Sequence, residues 1–155
     1  MKRLVVLLLL ATASLRASNL TMTGGWSQSL SAVNLTGGAG TNLSPSYSSA
    51  ATALTATITG SPLTLFYSVS AHVAASGLPP GVTLAVTRTG DGTAIPILSA
   101  VTGGTSAVTL TSTDTVIFSG FLDRSAIPLQ VTASGVSVSI TPGTYMSGVV
   151  FTVSP

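Results

Sequence analysis

The chain has 155 residues, of which 45% are hydrophobic and only 5% charged. It contains no Cys, no Glu, one His (His72) and three Asp (Asp91, Asp114, Asp123). That composition excludes a disulfide framework and a Cys- or His-built zinc centre. It also leaves a two-carboxylate hydrolase without a close acid pair.

Residues 1–17 read as a Sec-type signal peptide. Lys2 and Arg3 supply the positive start, Leu4 to Leu10 the apolar run, and small residues follow. Cleavage is expected after Ala17, with Ala13 as the alternative because Leu15 and Arg16 fit the consensus poorly. The apolar run falls well short of the ~20 residues that span a bilayer, so no membrane span is expected after cleavage. Cleavage removes Lys2, Arg3 and Arg16. It leaves Arg88 and Arg124 against three aspartates, a net charge of −1 on 138 residues. Two cations cannot neutralise a run of phosphates, so nucleic acid is excluded as a partner. A chain of this length can bury about two-thirds of its unfolded surface, enough for one domain.

The first segment, 18–33, alternates. Leu20, Met22, Gly24, Trp26, Gln28 and Leu30 share one parity, and Thr21, Thr23, Gly25, Ser27, Ser29 and Ser31 share the other. Alternate side chains leave a strand on opposite faces. The pattern therefore suits either an ordinary first strand or a strand inserted into the groove of another molecule. Trp26 is expected to pack in the core; a carbohydrate platform is the rarer use of such a ring.

Segment 34–53, rich in Gly, Asn and Ser, predicts a long surface connection with one short helical turn near 49–53. The clearest strand follows: Leu65, Tyr67, Val69, Ala71 and Val73 face the core, with Phe66, Ser68, Ser70, His72 and Ala74 outside. Val82, Leu84 and Val86 form a second alternating run. Thr89–Thr93, with Gly90, Asp91 and Gly92, predicts a hairpin turn. Weaker runs lie at 54–59, 95–101, 107–111, 115–119 and 127–133, and Val136, Val138 and Ile140 alternate with serines. Pro96 and Pro128 inside apparent strands predict edges or bulges. A last run, Tyr145, Ser147, Val149, Phe151 and Val153, ends the chain. Many short strands separated by turns, with no helical stripe, predict an all-β antiparallel sandwich.

Motifs for chemistry are sparse. His72 falls on an outward parity, and no serine sits in a Gly-x-Ser-x-Gly elbow. Each Asp stands alone in a turn, short of the six to eight oxygens that calcium takes. Arg88 with Asp91, and Asp123 beside Arg124, read as solvated turn charges. Gly37-Gly38-Ala39-Gly40 lacks the Lys and Ser/Thr of a phosphate loop. The expectation is no enzyme, no cofactor and no metal.

The C-terminal stretch carries a resemblance. Ile127-Pro-Leu-Gln-Val, Gly135-Val-Ser-Val-Ser-Ile, the Thr141-Pro142-Gly143-Thr144-Tyr145 corner and the final Val149-Val-Phe-Thr-Val153 strand are similar to the end of spore coat protein U-like domains. These belong with archaic chaperone–usher pilin subunits. The resemblance implies an immunoglobulin-like β-sandwich that lacks its last strand. A donor strand from a neighbour would complete it, with a self-complete sandwich as the alternative. Residues 18–33 would be the donor extension and 34–155 the sandwich. Leu20, Met22, Trp26 and Leu30 would insert, and Tyr145, Val149, Phe151 and Val153 would line the acceptor groove. Partners would be other copies or related subunits, with a periplasmic chaperone and an outer-membrane usher. The product would be a pilus or coat subunit at the cell surface. The chain departs from the family in having no Cys and in ending Ser-Pro. The alternative function is a monomeric sandwich that binds a glycan or a surface protein. Residues 18–31 separate the two: pairing inside their own sheet favours the monomer, projection from the body favours the polymer.

Overall fold

The computed structural model describes residues 18–60, 66–95 and 97–155. Residues 1–17, the expected signal peptide, lie outside them, as do Leu65 and Pro96. The strands are β1 (Asn19–Gly24), β2 (Ser46–Ser48), β3 (Leu54–Thr59), β4 (Phe66–Ser76), β5 (Thr83–Arg88), β6 (Thr93–Ala94), β7 (Ala100–Thr102), β8 (Val108–Thr109), β9 (Thr115–Phe121), β10 (Arg124–Ser134) and β11 (Ser147–Ser154). Among the described residues there is no α-helix, only a 3-10 turn at Ala32–Asn34. The abundance of β-branched residues, the absence of Glu and the absence of Lys beyond Lys2 explain this balance.

Two antiparallel sheets face each other. One runs β1-β3-β10-β5-β8, with β2 and β6 also paired to β10; the other runs β11-β4-β9-β7. The chain is an all-β sandwich. Its core is Tyr67, Phe118, Ile58, Ile127, Leu129, Val69 and Val86, drawn from both sheets. Burying each such side chain stabilises the fold by about 1.5–3 kcal/mol. The alternation in β4 and β5 is seen as expected. Tyr67, Val69 and Ala71 are buried and Phe66 is exposed, while Leu84 and Val86 are buried and Thr83 exposed.

β10 organises the first sheet. Its first half pairs with β3 on one side and β6 on the other; its second half pairs with β2 and β5. Thr89–Thr93 is therefore not a hairpin. It is a corner that hands one edge of β10 from β5 to β6. Gly92, at φ +67°, has Ser125 O where a Cβ would sit, 2.4 Å away. Pro128 lies in this central strand, not at an edge. The register shifts between Arg124 and Ile127, with Ala126 at φ +52°. Pro128 itself lies past this bulge, where the partner along one edge of β10 changes from β6 to β5, a break in the ladder that tolerates a residue without a donor.

Two other expectations change. Val136, Val138 and Ile140 form no strand. The Ser137 hydroxyl accepts from Ser139 N, and Ile140 N donates to Ser137 O, so local serine bonds turn the chain. The run at 95–101 yields a strand only from Ala100.

Candidate functional site at the open side of the sandwich

The two sheets each end in a strand at the same side: β1 closes one and β11 the other. The two strands come alongside each other, yet no ladder joins them. Each has one edge along which no other described strand pairs.

β1 lies against β3 over its whole length, from Asn19 opposite Thr59 to Gly24 opposite Leu54. Residues 19–24 thus pair inside their own sheet. Leu20 and Met22 are half-buried and pack on the core, with Leu20 opposite the buried Ile58. Thr23 and Thr55 join across the pair by a 2.6 Å hydroxyl contact. The strand stops at Gly24, at φ +97°, where a Cβ would meet Ala53 O at 2.1 Å. Only a glycine fits this approach. Gly25 N then donates to Ala53 O, and Trp26 returns to pack against the core. Beyond it the chain is exposed, Leu30 included, at 41%.

β11 alternates as the sequence requires. Val149, Phe151 and Val153 are half-buried against the core, and Val150 and Thr152 face out. Tyr145 stands apart. It precedes the strand, is exposed, and its hydroxyl donates to Thr141 O at 2.5 Å, closing the Pro142–Gly143 corner. The structure thus gathers Leu20, Met22, Val149, Phe151 and Val153 on one side of the core. Leu30 and Tyr145 do not join them.

Three features escaped the sequence reading. The first corrects it: Arg88 and Arg124 are not solvated turn charges but buried side chains, 6% and 8% exposed. Arg88 donates to Gly103 O, Gly90 O and the Asp91 carboxylate. Arg124 donates to Asp91 O and Ser99 O. Together they pin the 89–104 connection, whose tip exposes Ile97 and Leu98. The parity of Arg88 with Leu84 and Val86 was a usable signal. Arg124 gave none, because the bulge at Ala126 breaks its parity with Ile127.

The second is a pair at long sequence range. His72 Nδ1 lies 2.7 Å from Asp114 Oδ1, with both side chains partly exposed. This is the base-and-orienter half of a triad. Among the described residues no serine or threonine hydroxyl is bonded to His72. The third is a pair of rings 5.2 Å apart, the exposed Phe66 and the half-buried Phe121.

Burial pushes the Tyr67 phenol above its ordinary 10.0; Arg124 opposes the rise, Asp123 adds to it and Arg88 opposes it. Its hydroxyl is buried without a hydrogen-bond partner. Among the described residues no three His, Cys, Asp or Glu side chains come together to hold a metal. No described helix is long and apolar enough to cross a membrane.

No family model, curated protein or solved structure matches the chain.

Proposed function

We propose that this chain is a secreted, non-enzymatic structural or adhesive subunit that assembles by exchanging its first strand between copies. It is an immunoglobulin-like, spore coat U-like sandwich in this reading, and β1 is the donor. The observation that carries the reading is the position of β1. It is an edge strand with no fully buried residue, it precedes a mostly exposed connection, and it lies beside β11, the edge strand of the other sheet among the described residues.

The cis register of β1 favours, by the criterion above, a self-contained sandwich for the isolated chain. That state is also the closed monomer from which strand exchange starts. Exchange replaces each contact by an identical one in another copy. A tethered strand sees its own groove at roughly millimolar effective concentration, so cis pairing wins in dilute solution. Assembly then needs a factor that holds β1 away from β3, which is the role a chaperone and usher would fill. Leu20 and Met22 act as inserting side chains, and Val149, Phe151 and Val153 line the receiving side. Trp26, in cis, covers the core next to the joint.

The test is an unboiled denaturing gel of sheared cell-surface material, beside a boiled control. Exchanged strands open only when a sandwich unfolds, so a ladder that collapses on boiling supports exchange. A single monomer band in both lanes, with ample protein, removes it. The second reading, a self-complete sandwich that binds a glycan or a surface protein as a monomer, then stands; the six-residue cis pairing favours it.

A further inference from the structure

The outer face of the second sheet carries a shallow concavity of about 370 Å³, lined by Phe66, Ser68, Ala100, Thr102, Ser119, Phe121 and neighbouring backbone, with Pro155 at one side. The register orders these residues into two rows. Phe66 lies opposite Phe121, and Phe121 opposite Ala100; Ser68 lies opposite Ser119, and Ser119 opposite Thr102. An apolar row and a hydroxyl row thus run side by side across β4, β9 and β7. Residues two apart on a strand are about 7 Å apart. Phe66 is 69% exposed, an unusual position for a large ring. The Phe66 and Phe121 rings are tilted by 49° to each other. Ser68 and Ser119 hydroxyls bond each other at 3.1 Å, and each oxygen retains capacity for a ligand hydroxyl.

We propose that this concavity binds a neutral pyranose ring of a polysaccharide. A pyranose has a C–H face and an edge of hydroxyls. The C–H face fits the positive-edged contact that an aromatic face accepts. Its hydroxyl edge, set against the second row, meets Ser68, Ser119 and Thr102. Among the described residues no Lys, Arg or His lines the site, so neither a phosphate nor a carboxylate sugar finds a counter-charge there. A purely aliphatic ligand would cover the hydroxyl row without meeting the capacity that it retains beyond the Ser68–Ser119 bond, a loss of solvation that a ligand hydroxyl would offset. The volume falls in the range of small-molecule clefts and accommodates one or two rings. The site lies on the face of one sheet, whereas β1 belongs to the other. It therefore stands whether or not β1 is exchanged.

The test is an NMR titration of the 15N-labelled chain with cellohexaose, xylohexaose, maltohexaose and chitohexaose in turn. At least one is expected to shift the amides of 66–68, 100–102 and 119–121, with a Kd of about 1 mM. Phe66→Ala should weaken binding about tenfold while leaving the melting temperature nearly unchanged, because the ring is exposed. Ser119→Ala should weaken it without altering which amides move. The proposal is overturned if none of the four sugars moves these amides at about 10 mM, if the shifts map to Trp26 instead, or if Phe66→Ala binds as well as the unaltered chain. None of these outcomes bears on the gel test of strand exchange.

Discussion

Arg88 and Arg124 converge on Asp91: its carboxylate accepts from Arg88 and its backbone carbonyl from Arg124. The guanidiniums are buried, while the Asp91 side chain is 63% exposed. Most of the bonds they make are to carbonyls, and carbonyls stay when Asp91 is changed. Asp91→Ala should therefore cost under about 1 kcal/mol, an effect that shrinks in salt. Arg88→Ala or Arg124→Ala removes several partly buried hydrogen bonds at once, together with the packing of a buried side chain, and should cost about 2–4 kcal/mol. Urea unfolding of the three variants measures the difference. Equal losses for Asp91→Ala and Arg88→Ala would show that the carboxylate, not the carbonyl set, holds the corner.

Tyr67 lies across Gly120 on the neighbouring strand, so tightly that a Cβ on Gly120 would come 2.2 Å from the phenol oxygen. Gly120→Ala should destabilise the fold by about 2–3 kcal/mol through overpacking. The loss should shrink in a Tyr67→Leu background, since contacting sites couple.

The same phenol sets an alkaline limit. Its folded value is raised above 10.0, chiefly by burial. The unfolded phenol ionises first as pH rises, so this contribution is whole below about pH 10 and is lost above it. Tyr67→Phe removes both the titration and the unpartnered hydroxyl. It should leave neutral-pH stability unchanged or raise it by up to about 1 kcal/mol. Thermal melts at pH 8 and pH 11 should show a smaller alkaline loss in Tyr67→Phe than in the unaltered chain.

At the joint itself, Gly24→Ala places a side chain on Ala53 O in a left-handed backbone conformation. The strain of about 1–3 kcal/mol falls on β1, the outermost strand. Hydrogen exchange should therefore speed up over residues 19–24 far more than over β4 or β10, whose bonds open only globally. Uniform acceleration would mean that β1 is integral to the core.

The sandwich was legible because the core-facing stretches keep strict parity: β4, β5 and β11 alternate as their side chains do. What stayed hidden arises where that parity breaks or where partners are distant in sequence. Ala126 inserts a residue into β10, so Arg124 points inward against any count. The Thr89–Thr93 segment has the composition of a hairpin, yet β5 and β6 line up along one edge of β10. Ser137 and Ser139 bond to their own backbone, which removes a strand that alternation suggested. The candidate side of the sandwich was partly legible. Leu20, Met22, Val149, Phe151 and Val153 converge, because each sits on the inward parity of an edge strand. Tyr145 does not, because its hydroxyl is held by Thr141 at the corner. His72 and Asp114 meet across 42 residues, a distance that no local pattern reports.

The central claim is that β1 pairs with β3 of another copy, and the chain offers a clean way to measure it. It has no cysteine, and Thr23 and Thr55 touch across the joint at 2.6 Å. Cells are made to express a Thr23→Cys chain together with a Thr55→Cys chain, and surface material is oxidised and run without reductant. Strand exchange predicts a mixed disulfide between the two chains, since each cysteine finds its partner only in another copy. The cis arrangement alone predicts an internal disulfide in the Thr23→Cys/Thr55→Cys double variant and no mixed species. That second pattern would contradict the account.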